Sequence, residues 1–357
     1  MPPVVPKAEP SGVIAQTILS YPLWPYVLKM SLTKNYRQKN DKVFSGDLRY
    51  MTQGPPSIRN STNDAENFMS KSLPEDVTVC TSFRKALRAY IQTDGLLSTL
   101  DTMDDVRTLA RSPLYNSFCI ANTNACVDEL NEHIASFGVK KYKLRQHELL
   151  GQEEVCEGGE DTTLATHERM SSYNDHSLPV HCLELFRGAR VSLLRNIALS
   201  RAMANGSSFI VVDIGRHVIR LMNITPGDFY GAIETIFRVR LKVTLKDCFS
   251  FTRLQFPLRM AHAGSAHKYQ GQTCVEPAHV LYDIRTPPFC HGQTYVGLSR
   301  AQKSKHVVLL SLPEYGRSVP CLIYPKLAKM GRILFRCRFL EKPLLLLSYP
   351  SFSCFHR

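Results

Sequence analysis

Between about residues 180 and 250 the period of the sequence changes, and this change constrains the fold more than any other feature. Four short β-branched runs follow one another: ARVSLLRNI (189–197), SSFIVVDIG (207–215), HVIRLMNI (217–224) and FRVRLKVTL (237–245), with Asn-Gly, Gly and Pro-Gly at the breaks. That spacing predicts a small barrel or sandwich-like β module. On either side the pattern is strand followed by helix. FCIAN (118–122) reads as a strand running into a helix capped by Thr123 or Asn124, with Val127, Leu130 and Ile134 on one face. FPLRMAHA (256–263), AHVLYDI (278–284) and VVLLSL (307–312) read as further strands. Strand–helix units interrupted by short strands predict an α/β domain, a parallel sheet with flanking helices, carrying an inserted β module.

Local signals fill in the rest. Ser11 is expected to cap a helix over GVIAQTILS (12–20) that Pro22 ends, and VLKMSL (27–32) reads as a buried strand. FSGDLRYMTQG (44–54) reads as a helix stopping at Gly54, residues 55–75 as a loop, and GQEEVCEGGEDTT (151–163) as a solvated acidic loop. Asp213, at the end of an apolar run, reads as a turn residue. No internal repeat is present.

Composition narrows the class. The chain has 357 residues, 44% apolar and 21% charged, which is a globular balance. A net charge of +13 favours a polyanionic partner. The 11 Cys include no CxxC pair, which argues against a zinc ribbon and for reduced, intracellular thiols. Neither His181-Cys182 nor Cys290-His291 has partners at ligand spacing, so no metal site is expected. The start, MPPVVPKAEP, lacks a signal-peptide core, and PLLLLSYP (343–350) is too short to span a membrane. A soluble protein is expected.

Two polar blocks carry the chemistry. GSAHKYQGQT (264–273) follows a strand, and its small residues let a phosphate approach the backbone, with Ser265, His267 and Lys268 as donors. Read as a helix, QTYVGLSRA (293–301) puts Tyr295 and Leu298 on one side and Gln293, Gly297 and Arg300 on the other. Arg300 is then expected to face a cleft, where an always-charged guanidinium suits a phosphate.

FPLRMAHAGSAHKYQGQT followed by HGQTYVGLSRA resembles motifs V and VI of superfamily-one DNA helicases, in particular the PIF-one-like and Helitron-type enzymes related to RecD. Further blocks resemble that family in its order. These are MPPVVPK (tail of motif III), SYPLWPYVLKMSLTKNYR (motif IV), CIANTNACVDELNEHI and LFRGARVSLLRNIALSRAMANGSSFIVVDIGRHVI.

The resemblance implies a RecA-like second motor domain with an SH3-like β insertion. It implies a remnant of the first motor domain over 1–25, the second over 26–145 and 253–312, an acidic linker over 146–180, the insertion over 181–252 and a divergent tail over 313–357. It implies Arg300 as an arginine finger on ATP and Arg37 as a second contact to the γ-phosphate. Gln270, Gly271 and Thr273 would line the nucleotide cleft, and Ser265, His267, Lys268, Thr123 and Asn124 would touch DNA. ATP and Mg²⁺ are the cofactors, single-stranded DNA and duplex junctions the partners, 5′-to-3′ unwinding the activity. A nucleus or mitochondrion is the expected location in a eukaryote.

The chain departs from the family in several respects: Ser265 stands where the family usually has Thr, no Asp-Glu pair follows an apolar strand upstream of the motif III block, and the tail past about residue 312 diverges. No GxxxxGK[ST] occurs in the 357 residues. The expectation is therefore a helicase fragment whose first motor domain is absent and would be its natural packing partner, inactive alone as an ATPase. The alternatives are a non-enzymatic DNA-binding remnant and a non-functional product.

Overall fold

A computed structural model describes residues 9–17, 20–22, 26–31, 35–54, 67–91, 100–156, 166–175, 177–244, 250–324 and 333–337. The Pro-rich start (1–8), part of the expected 55–75 loop (55–66), residues 157–165 of the acidic insert, and residues 325–332 and 338–357 of the tail lie outside them.

Among the described residues the helices are α1 (Pro10–Ala15), α2 (Lys42–Gln53), α3 (Phe83–Ile91), α4 (Met103–Arg111), α5 (Pro113–Asn116), α6 (Asn124–Tyr142), α7 (His167–Ser172) and α8 (Gln293–Leu298). The strands begin with β1 (Val27–Ser31), β2 (Asn67–Ser72), β3 (Thr78–Cys80) and β4 (Phe118–Ala121). There follow β5 (His147–Leu150), β6 (Gln152–Val155), β7 (Cys182–Leu185), β8 (Arg190–Leu193), β9 (Ser208–Ile214) and β10 (Val218–Asn223). Next come β11 (Ile233–Phe237), β12 (Val239–Thr244), β13 (Ser250–Gln255), β14 (Leu258–Met260) and β15 (Ala263–Ser265). The last are β16 (Val280–Asp283), β17 (Val307–Leu310), β18 (Ser318–Ile323) and β19 (Ile333–Cys337).

The expected parallel sheet is formed by five strands in the order β15-β4-β16-β17-β3, every neighbouring pair parallel. Strands β4, β16 and β17 are buried at every position because alternate side chains point to opposite faces and both faces are covered. On one face Ile120, Tyr282 and Leu309 meet Phe44 and Leu48 of α2, Val296 and Leu298 of α8, and Val319 of β18. On the other, Ala121, Leu281 and Leu310 meet Leu87 of α3 and Leu130 and Ile134 of α6. The face expected for Leu130 and Ile134 is the one that packs.

Helix ends follow local chemistry. The Asp41 carboxylate accepts from Phe44 N at 2.9 Å, and Gly54, at φ +62°, terminates α2 where the sequence predicted. The same Asp41 accepts from Ser304 N at 3.0 Å and Ser304 Oγ at 2.7 Å, tying α2 to the segment that leads into β17. Ser11 is not a cap. It lies inside α1, which Pro10 opens with its fixed φ, and the helix ends at Ala15, well before Pro22.

Strands β5 to β14 lie in sequence between α6 and β15, so a β-rich unit is inserted between two neighbouring strands of the parallel sheet. Five antiparallel strands run β11-β10-β9-β8-β14, three run β12-β13-β6 and two pair as β5-β7. Val191, Phe209, Val211 and Leu221 form the core on one side of the five-stranded sheet, while Ile210, Val212 and Met222 pack on Val106 and Leu109 of α4.

Three expectations are corrected. The QEEV part of the acidic insert is strand β6 rather than loop, although Gln152, Glu154 and Val155 are exposed as expected, and the 146–180 linker carries β5, β6 and α7. The reason is a buried ion pair: Glu153 accepts from Arg253 Nε at 2.7 Å, with both side chains fully buried. Arg253 also donates to the carbonyls of Pro179 and Tyr173, and His181 Nδ1 lies 2.8 Å from the same carboxylate. The antiparallel strands therefore begin before residue 181 and end after 252. Second, the expected 55–75 loop contains β2, which pairs antiparallel with β18, so residues 318–323 of the tail belong to the fold, with Val319 and Cys321 in the core. Third, β1 stands outside the parallel sheet and pairs antiparallel with β19.

Removing one partner of a buried ion pair leaves an uncompensated charge. Arg253→Ala is expected to lower unfolding free energy by about 3–5 kcal/mol in urea. Arg240→Ala, which breaks the exposed Arg240–Glu154 pair, is expected to cost under ~1 kcal/mol. Equal losses in the two variants would show that the buried pair does not hold β6 in place.

Candidate functional site

The predicted site residues divide between the two edges of the parallel sheet. At the carboxyl edge, Ser265 ends β15 in register with Ala121 of β4, and the chain leaves β4 through Asn122, Thr123 and Asn124. Thr123 is the cap of α6, its hydroxyl accepting from Cys126 N at 3.4 Å, and Asn124 is exposed in the first turn of this 19-residue helix. His267 and Lys268 lie in the turn after β15, where Lys268 N donates to Ser265 O at 3.0 Å. All five residues expected to meet DNA thus share the end of an open parallel sheet where ligands bind.

The two basic groups of this set differ. Burial pulls the His267 imidazole below its usual range, so the ring is neutral near pH 7. Its Nε2 is buried and has no hydrogen-bond partner among the described residues. Lys268 presents exposed surface, yet desolvation around its ammonium, with Arg190 and Arg259 adding repulsion, pulls it down to about 8. It remains largely charged at pH 7.

At the amino edge, Arg37 Nε donates to Thr273 Oγ1 at 2.8 Å and its Nη1 to Ser299 O at 3.2 Å. Arg300 stands beside it. Its Nε donates to Val296 O at 2.8 Å, Nη1 to Tyr269 O at 3.3 Å and Gln272 O at 2.7 Å, and Nη2 to Ser299 Oγ at 2.7 Å. Each of these acceptors is a carbonyl or hydroxyl. Desolvation, then the neighbouring Arg37 charge, pulls Arg300 down to about 10. Gln270 and Gly271 lie in the exposed turn between the two edges, with Gly271 at φ +90°.

The structure brings Arg37, Thr273 and Arg300 together but does not give α8 the expected polar face. Gln293 is fully buried, Gly297 packs on the Tyr282 ring, and Arg300 is 4% exposed, folded back on the chain rather than open to a cleft. The helix ends at Leu298, so Arg300 sits in a turn where its guanidinium reaches the carbonyl of Val296 in the last turn and those of Tyr269 and Gln272 in the preceding polar segment.

Other residues at these edges escaped the sequence reading. Gln38, buried beside Arg37, donates to Ser299 O at 3.1 Å and Ala301 O at 2.6 Å. Asn122 accepts from Tyr282 Oη at 2.6 Å, and its own carbonyl accepts from Gln293 Nε2 at 3.0 Å. Adjacency was the available signal: Gln38 follows Arg37, and Asn122 precedes Thr123. Arg285, after β16, pairs with Asp283 at 2.8 Å and Glu129 at 3.0 Å, which commits its charge to structure.

These features describe a basic α/β protein with donor clusters at both edges of a parallel sheet. No protein-family model matches the chain. It is 37% identical to the rat (Rattus norvegicus) ATP-dependent DNA helicase PIF1 over 134 residues, 36% of this chain and 19% of the rat protein. With the human (Homo sapiens) ATP-dependent DNA helicase PIF1 it shares 35% over 139 residues, 37% of this chain and 20% of the human protein. The matched region thus spans about a fifth of these relatives. Among solved structures, the Pif1 helicase from Candida albicans matches with a TM-score of 0.47 and 20% identity, covering 82% of this chain and 59% of that one. Over about a third of its length, the chain is similar to the PIF1 DNA helicases.

Arg37 and Arg300 both bond to Ser299, one through its carbonyl and the other through its hydroxyl, and among the described residues Arg37 uses two of its five side-chain N–H donors. Pyrophosphate is expected to raise the Tm of the protein by binding the folded state, and Arg37→Ala to abolish most of that rise. An unchanged rise in Arg37→Ala would place the anion elsewhere.

Proposed function

We propose that this chain is the second, RecA-like motor domain of an ATP-dependent 5′-to-3′ DNA helicase of the Pif1 type, with strands β5 to β14 as its SH3-like insertion. The observation that carries the reading is the meeting of Arg37 and Arg300 on Ser299, on a chain similar to PIF1 helicases. In this reading Arg37 and Arg300 stabilise charge on the γ-phosphate, and Gln270, Gly271 and Thr273 line the nucleotide. Bound ATP supplies the hydrolysable phosphoanhydride, and Mg²⁺ is assigned no ligand among the described residues. Ser265, His267, Lys268, Thr123 and Asn124 hold single-stranded DNA, free or at a duplex junction, by its backbone, which suits a motor that runs on any sequence. The nucleus or mitochondrion is the proposed location.

Because the 357 residues contain no GxxxxGK[ST], the phosphate-binding loop must come from a further motor domain packed against the amino edge. The same fact favours a second reading, a single-stranded-DNA-binding unit that does not hydrolyse ATP by itself.

Phosphate contacts make log K fall with log salt at a slope of about −0.7 per contact on single strands. Lys268→Ala is expected to make that slope shallower by about 0.7. Since the Lys268 ammonium titrates near 8, affinity is expected to fall as pH rises from 7 to 9 in the wild type and to stay flat in Lys268→Ala. DNA-stimulated ATP turnover by the 357-residue chain is expected not to exceed that of Arg300→Ala. Absence of single-strand binding at low salt would refute both readings.

A further inference from the structure

Phe289 stands out at the carboxyl edge. It follows Pro287 and Pro288 in the segment between β16 and α8, and 47% of its surface is exposed. The prolines restrict the backbone on its approach. Behind it, Phe289 N donates to Gln293 Oε1 at 3.0 Å, and Gln293 in turn holds Asn122 O, one residue before Thr123. The ring lies nearly parallel to the His267 imidazole, with centroids 6.4 Å apart and planes at 19°. One end of α8 and the end of β4 therefore fix an exposed aromatic ring beside His267 and Lys268.

We propose that Phe289 is a stacking platform for one base of the single strand that this edge holds, a positioning contact made to the base and not to a phosphate. The proposal rests on the DNA-binding reading above and deepens it. Every base has a π face, so such a contact adds affinity without reading sequence, as a motor track requires. The neighbouring donors, Ser265 and Lys268, address the backbone, and an aromatic ring at the same edge takes the other half of a nucleotide. Neutral His267 backs the ring without placing a charge behind it.

The test is fluorescence anisotropy with two labelled probes of equal length, oligo-dT and the same oligomer with abasic sites throughout. Phe289→Ala is expected to weaken oligo-dT binding by about 5- to 100-fold. The salt slope should not change, and the abasic probe should bind both proteins equally. Phe289→Tyr is expected to restore oligo-dT binding, which excludes misfolding as the cause. Equal oligo-dT affinity in wild type and Phe289→Ala would overturn the proposal, as would an equal loss on the abasic probe or failure of Phe289→Tyr to restore binding. Failure of the wild type to bind either probe would overturn the DNA-binding reading itself, so the two outcomes are distinct.

Discussion

Much of the structure depends on how closely α8 lies against the parallel sheet. A Cβ at position 297 would come within 2.8 Å of the Tyr282 ring, so only glycine permits this approach. Tyr282 is itself fixed by its hydroxyl on Asn122, and burial holds that phenol well above its usual range, which keeps it neutral and donating. Because α8 follows β16 and leads into β17, it runs antiparallel to both and its ends point to opposite edges. Gln293 at one end grips Asn122, and at the other the chain delivers Ser299 and Arg300 beside Arg37. A single backbone contact thus sets the position of both donor clusters.

Charge is distributed unequally over these clusters. Some arginines are paired with carboxylates, Arg253 with Glu153, Arg259 with Asp128, and Arg285 with Glu129 and Asp283, while Arg190 and Arg317 donate to backbone carbonyls. Arg37 and Arg300 belong to the second group, with carbonyl and hydroxyl partners, and differ from it in standing side by side on Ser299. Carbonyl dipoles hold a guanidinium in place without cancelling its charge, so the field of the pair stays available to an anion.

Legibility in the sequence followed the range of the interaction. The Thr123 cap, the apolar face of α6 and the stop at Gly54 depend on neighbours within a few residues, and all three were readable. So was the succession of strands and helices that gives a parallel sheet. Strand β6 was not, because QEEV pairs as a strand, with the Glu153 side chain buried, only when Arg253, a hundred residues later, meets Glu153. Strand β18 escaped for the same reason, since its partner β2 lies in a stretch rich in Ser and Asn that carries turn signals. At the site, residue types were readable but their directions were not. A helical wheel drawn through Arg300 assumes a helix that in fact stops two residues earlier, and the wheel turned a buried guanidinium outward.

The two arginines cannot act alike toward a phosphate. Arg300 has four N–H bonds to the chain, two of them to the carbonyls of Tyr269 and Gln272. Turning outward would break several such bonds, each with a net value of about 0.5–1.5 kcal/mol. Among the described residues Arg37 has three side-chain N–H groups to spare and needs no such rearrangement. On the proposed function, an anion at this edge would meet Arg37 first. Arg300 joins only if the anion's charge outweighs the carbonyls it must release. Those carbonyls belong to the segment 265–273 that carries Lys268 at the opposite edge, so any such release is felt in the turn where DNA phosphates would bind.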